Sequence, residues 1–171
     1  MATDENLRAG RLVFYSETVD QIDSLLKEFL RLSKSRSVFF IDRDGHLVTQ
    51  VGETRGVSSE SLAALVAGSF SATRELAKVL GEPEFSSMFH KGEKGQIQIM
   101  LVGKRSMIAI VFDHSTTVGM VSLYCKELVE KIAKILDVAE RQYAMHHREE
   151  QKLDDDYTTD LQEKLDKLFE D

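Results

Sequence analysis

The chain of 171 residues has one cysteine, one proline and no tryptophan. A single thiol, Cys125, cannot close an intramolecular disulfide, so nothing in the sequence points to an oxidising compartment. Long apolar runs are missing too. None is longer than Met107-Ile108-Ala109-Ile110-Val111-Phe112, which is far too short to cross a bilayer as a helix. Met1 to Gly10 show neither the basic start nor the apolar centre of a signal peptide. These absences together predict a cytoplasmic protein. A phosphate-cradling G-x-x-x-x-G-K-[ST] loop is also lacking, because Gly103-Lys104-Arg105-Ser106 has no glycine at the required upstream spacing and separates two predicted strands. The chain is therefore not expected to hydrolyse a nucleotide by itself. Internal repeats and low-complexity segments are absent.

Cationic excess is lacking as well. Residues 149–171 hold 10 acidic residues against 3 lysines, a net of −7, while residues 1–148 hold 19 of each sign. The whole formal charge of −7 thus sits in the tail. A neutral body argues against sequence-independent nucleic-acid binding, which needs clustered cations, and the acidic tail would repel anionic membranes while suiting a protein partner.

What is present is alternating secondary structure. Val19, Ile22, Leu26, Phe29 and Leu30 recur at helical spacing, which predicts a helix from about Thr18 to Leu32, with Thr18 and Gln21 as a capping box. Val38 to Ile41 and His46 to Val51 read as a hairpin about the turn Asp42-Arg43-Asp44-Gly45. A second helix is predicted from Ser59 to Leu80, with Ser58 as N-cap and Gly81 as the stop. Gly81 to Lys94 reads as loop. Three strands are then predicted over Gln96–Val102, Ser106–Phe112 and Thr117–Tyr124, followed by a third helix from about Glu127. The middle strand is apolar on both parities, Met107, Ala109 and Val111 against Ile108, Ile110 and Phe112, so it needs a layer on each face. The order α-β-β-α-β-β-β-α predicts an α+β fold: a five-stranded antiparallel sheet between helical layers. The domain organisation predicted is 1–147 for this body, 148–157 for an acidic linker, and 158–171 for an amphipathic helix with Leu161, Leu165, Leu168 and Phe169 on one side.

Residue types that carry chemistry do not converge. His114 stands alone, His146 and His147 point in different directions on a helix, and no set has metal-ligand spacing. Neither a metal nor a cofactor is expected. His90 reads as a loop residue and Cys125 as a packing residue. The second helix stands out instead. Leu62, Leu65, Val66, Leu76 and Leu80 read as its core side. The opposite side carries Ala64, Ala67, Gly68 and Ser71, with Arg74, Glu75 and Lys78 beyond. Gly68 costs about 1 kcal/mol relative to alanine within a helix, so helix propensity does not explain it. Ala64, Ala67, Gly68, Ser71, Arg74 and Lys78 are therefore read as a shallow platform for another helix or a partner protein.

Several segments carry a resemblance in the same order over most of the chain. They are Asp42-Arg43-Asp44-Gly45, Ser61-Leu62-Ala63, Ala67-Gly68, Leu76-Ala77-Lys78, Gly81-Glu82-Pro83-Glu84-Phe85, Phe89-His90-Lys91-Gly92, Phe112-Asp113-His114-Ser115-Thr116-Thr117 and the tail Leu165-Asp166-Lys167-Leu168-Phe169-Glu170. With them the sequence resembles the Roadblock/dynein light chain family, in its bacterial gliding-motility branch. The resemblance implies a homodimer joined through the second helix and a neighbouring strand. It further implies binding of a Ras-like polarity GTPase of the MglA type and stimulation of GTP hydrolysis without an arginine finger, so that Arg43, Arg55, Arg74 and Arg105 have no catalytic role. By that reading the chain is an enzyme regulator without a catalytic site of its own. A scaffold that tethers a GTPase or polarity protein without accelerating hydrolysis shares the fold. An exchange role for the C-terminal helix is compatible with either.

Overall fold

The structure, a computed structural model, describes the backbone of residues 16–169 and the side chains of residues 16–145. The reading of Met1 to Gly10 lies outside the described residues.

Two adjacent strands with no polar face set the architecture. In β1 (Ser37–Asp42) every residue is buried, and in β5 (Ser106–Phe112) all but Val111 are. Strands of this kind belong at the centre of a sheet covered on both sides. They pair antiparallel, Phe39 opposite Ala109 and Ile41 opposite Met107. With β2 (Leu47–Gly52), β4 (Gln96–Val102) and β3 (Ser87–Lys91) they make one antiparallel sheet in the order β2-β1-β5-β4-β3. One parity of these strands faces α1 (Ser16–Ser33) and the start of α3 (Val118–Phe169). There Ile22, Leu26 and Phe29 meet Val38, Phe40, Ile108, Ile110, Val121, Cys125, Leu128 and Ile132. The other parity faces α2 (Ser59–Leu80), where Ala63, Val66 and Phe70 cover Phe39, Ile41, Ile99, Met107 and Ala109. The two-faced reading of the middle strand is what the fold required.

Helix ends follow local chemistry. Ser58 caps α2 by accepting from the Ser61 backbone N–H, and Gly81 closes it in the left-handed region at φ 72. Ser16 already lies in α1, so Thr18 is an interior, buried residue and not a cap. Thr117 is the N-cap of α3, its Oγ1 accepting from Met120 N–H at 3.3 Å.

The five strands and their order around the helices are as expected, but the three after α2 are displaced by one strand. Ser87–Lys91 is a strand where a loop was expected, and Thr117–Tyr124 is not a strand, since α3 begins at Val118. Val118, Val121 and Tyr124 are residues of high strand propensity, which is weak against tertiary packing. Val121, Cys125, Leu128 and Ile132 are buried at helical spacing, and that pattern decides the conformation. β3 was hidden for the opposite reason. It is an edge strand, mostly exposed, that gains its hydrogen bonds from β4, so its sequence needs little apolar patterning.

The chain divides into two units, Met1–Leu136 and Asp137–Asp171. Within the second, the backbone is helical through residues 148–157 and on to Phe169, so the expected linker and separate short helix are one continuous stretch of α3. Polarity suggested a linker, yet Glu149, Glu150, Gln151, Lys152 and Leu153 are good helix formers with no glycine or proline among them. The side chains of Leu161, Leu165, Leu168 and Phe169 lie outside the described residues.

Candidate protein-interaction face

α2 is apolar or small around nearly its whole circumference, a pattern that belongs to helices covered on all sides. One side is covered by the sheet. Ala63, Val66, Phe70 and Ala77 are buried and define that side. The outward side is not covered: Leu65 is 70% exposed, Leu76 54%, Val79 82% and Leu80 62%. The assignment of Leu65, Leu76 and Leu80 to the core is therefore corrected. Phe70, Ala63 and Ala77 set the buried direction, and the leucines fall roughly a quarter to two-fifths of a turn from it. These exposed side chains are the functional candidates that sequence reasoning missed. The available signal was a helix with too much apolar surface for one buried stripe.

The platform residues separate on inspection. Ala64, Gly68 and Ser71 are exposed, and a Cβ added to Gly68 would meet nothing within 4 Å. Ala67 is different, because it is half-buried and packs with the α2-side core. It is small for an internal reason. Gly45, at φ 91, brings the β1–β2 turn so near that a Cβ there would lie 3.3 Å from the Ala67 Cβ and 3.2 Å from the Ala64 Cα. Lys78 donates to Glu75 Oε1 at 2.7 Å, so these two exposed charges pair with each other. Arg74 is half-buried, and its Nε is buried without an acceptor.

Neighbouring contacts hold this face rigid. Arg43 in the β1–β2 turn donates through Nη1 to the Lys104 carbonyl at 2.6 Å and through Nη2 to Glu84 Oε1 at 2.8 Å. It thereby ties the turn to the β4–β5 turn and to the segment after α2. Within the turn, Asp42 Oδ1 accepts from the backbone N–H groups of Asp44 at 3.0 Å and His46 at 2.8 Å, while its Oδ2 lies 3.0 Å from His46 Nδ1. Asp42, Asp44 and His46 place ligand-type atoms within 4.8 Å of one another, a grouping that sequence spacing did not reveal. The Asp42 carboxylate is already engaged in bracing the turn. Beside α2, β3 pairs among the described strands only with β4, which leaves its other edge without a described strand partner. The outer edge of β4 is thus occupied by β3; among the described strands β2 and β3 each keep one unpaired edge, and the one at the β4 end of the sheet belongs to β3.

Other reactive types lie apart from this face. Cys125 is buried between helix and sheet, and burial pushes its thiol up to about 12. His90 is exposed on β3 and His114 is exposed after β5. His146 and His147 lie outside the described side chains. No described helix is long and apolar enough to cross a membrane.

A layered α/β/α body with an uncovered apolar helix beside an open edge strand is built for association with proteins. The sequence profile of the Roadblock/LC7 domain matches residues 21–112, more than half of the chain. The chain belongs to the Roadblock/LC7 family. Among solved structures it is similar to Myxococcus xanthus MglB, with 33% identity and a TM-score of 0.71 over 75% of this chain and 96% of that one. It is likewise similar to the gliding protein MglB of Thermus thermophilus, with 32% identity and a TM-score of 0.69 over 74% of this chain and 96% of that one. An MglB described with a tetrameric arrangement is 31% identical, with a TM-score of 0.71 over 75% of this chain and 96% of that one. Comparison with curated protein sequences found no match. The Roadblock fold is that of a regulatory domain and not of a known catalytic family.

Proposed function

We propose that this Roadblock protein is a homodimeric activator of a Ras-like small GTPase of the MglA type, acting in cell polarity or motility. The observation that carries the reading is its likeness to MglB proteins at 31–33% identity over almost their entire length. The uncovered α2 face and the open edge of β3 suit it, since a two-fold contact places the same patch on both subunits. In this reading the protein donates no catalytic arginine. The dimer positions the switch loops of the GTPase, whose own residues stabilise the transition state. Arg43 suits a structural role, because its guanidinium is engaged by Lys104 and Glu84. The acidic helix at the C-terminus is a docking element that adjusts affinity or nucleotide exchange.

A multiple-turnover GTPase assay with the cognate GTPase tests this directly. Acceleration that scales with added protein is expected. Binding without acceleration would replace the activator by a scaffold, and absence of binding would overturn both.

A further inference from the structure

We propose that Asp42, Asp44 and His46 of the β1–β2 turn form a binding site for a zinc-like divalent cation, with the Ser106 hydroxyl as its outer partner. The site uses no residue of α2 and is independent of the GTPase reading above.

The turn gathers ligand types whose charge the body does not neutralise. An oxygen from each aspartate and a ring nitrogen of His46 lie within 4.8 Å of one another. The Asp42 side chain is 9% exposed, so its carboxylate is largely out of water, while Asp44 and His46 reach solvent. Oδ1 of Asp42 accepts from two backbone N–H groups, and its Oδ2 faces His46 Nδ1 at 3.0 Å. The cation within the turn, Arg43, is drawn away to Glu84 and the Lys104 carbonyl, and Asp44 forms no ion pair with a described cation. Two carboxylates this close repel, and a divalent cation between them removes the repulsion.

The distances suit such an ion. Zinc holds nitrogen and carboxylate oxygen at about 2.0–2.2 Å, which sets neighbouring ligands about 3.0–3.5 Å apart. His46 Nδ1 becomes a ligand when its ring carries the proton on Nε2. The exposed Asp44 closes the remaining gap by side-chain rotation. An independent sign comes from the neighbouring strand. Ser106 is 1% exposed, and its Oγ has no hydrogen-bond partner. It stands directly opposite Asp42 in the β1–β5 pairing, so both side chains leave the same face of the sheet with Cβ atoms about 4.5–5.5 Å apart. Buried hydroxyls seldom go unpaired in native proteins, and water carried by a cation at Asp42 supplies the missing partner. A nitrogen beside two carboxylates favours zinc-like ions over magnesium, which takes oxygen ligands and keeps its waters.

The test uses the full chain freed of metal by a chelator. Zinc chloride is titrated calorimetrically into the native protein, His46→Gln, Asp44→Asn, Ser106→Ala and the double variant His146→Gln with His147→Gln. Circular dichroism checks the fold of each. A single bound zinc per chain is expected in the native protein and in the double variant. His46→Gln and Asp44→Asn should each weaken it more than about tenfold, and Ser106→Ala about tenfold, the usual loss when an outer partner goes. Magnesium in about tenfold excess should not displace the zinc. On zinc addition the ring signals of His46 in nuclear magnetic resonance spectra should shift, and those of His90 and His114 should not. That readout needs only the native protein, so it decides the matter even if a variant fails to fold. No zinc binding, unchanged affinity in His46→Gln or Asp44→Asn, loss in the double variant, displacement by magnesium, or a shift at other histidines in place of His46 overturns the site. Native-like affinity in Ser106→Ala overturns the outer partner. No GTPase enters any of these measurements, so the functional reading and this inference stand or fall separately.

Discussion

At the scale of single residues, two alanine-sized positions one apart on α2 have different physics. Gly68 faces open space, so Gly68→Ala should stabilise the folded subunit by about 0.5–1 kcal/mol through helix propensity alone. Chemical denaturation of the variant checks this, and a loss of stability would show that Gly68 is packed. Gly68→Arg should fold normally while weakening partner binding or self-association. Ala67→Arg should instead destabilise the subunit itself, because that side chain shares its space with the Gly45 turn. The pair therefore distinguishes a surface effect from a folding effect. Cys125 gives a simpler expectation. A thiol pushed up to about 12 holds a negligible thiolate fraction near neutrality, and it is buried besides. Folded protein should resist thiol-reactive dyes at about pH 8, near the ordinary thiol range, and react promptly in denaturant; fast labelling under native conditions would contradict the packing described.

Elements add effects that no residue shows alone. The start of α3 is set by a short loop in which Asp113 Oδ1 accepts from Ser115 N–H at 2.9 Å and Thr117 caps the helix. Thr117→Ala should cost about 1 kcal/mol, read from urea denaturation. The backbone hydrogen bond from Ser115, then its side chain and more weakly Arg36 and His114, hold the Asp113 carboxyl below its ordinary value. A depressed carboxyl contributes stability above the unfolded-state value and loses it as pH falls through the folded one. Asp113→Asn should therefore show a smaller fall in stability on acidification from about pH 5 to below about pH 4, the ordinary aspartate range. An unchanged pH profile would mean that the loop is not held this way in solution. On α2, charge replacement of Leu65 with Leu76 by glutamate should abolish self-association while leaving circular dichroism intact, because both side chains are exposed. A dimer surviving both changes would remove this face from the interface.

At the scale of the molecule, the chain divides into two units, and the charge is divided as unevenly. The compact unit ends at Leu136, and the acidic excess begins after residue 148. Deletion of residues 149–171 should leave the melting temperature of the body nearly unchanged. It should change GTPase affinity or nucleotide exchange in a salt-dependent manner, as a charged contact does. A truncated protein that melts much earlier, with partner binding per folded molecule unaffected, would show that the tail serves the body instead.

The sequence by itself determined the two-faced central strands, the limits of α2 with its Ser58 and Gly81 ends, and the neutral body with its acidic end. Each of these is written locally, in periodicity, capping chemistry or charge. The family was also legible there, because many short segments keep their order across the chain. Tertiary structure alone decided which side of α2 is buried. A helix apolar or small around nearly its whole circumference has no single stripe to read, and only the sheet beneath Ala63, Val66 and Phe70 selects one. It likewise made Ser87–Lys91 a strand, through hydrogen bonds from β4 that no local pattern announces, and made Val118–Tyr124 helical by burying Val121 beside α1. The small size of Ala67 belongs to the same class. Its cause is a turn that lies more than 20 residues away in the chain and in contact in space.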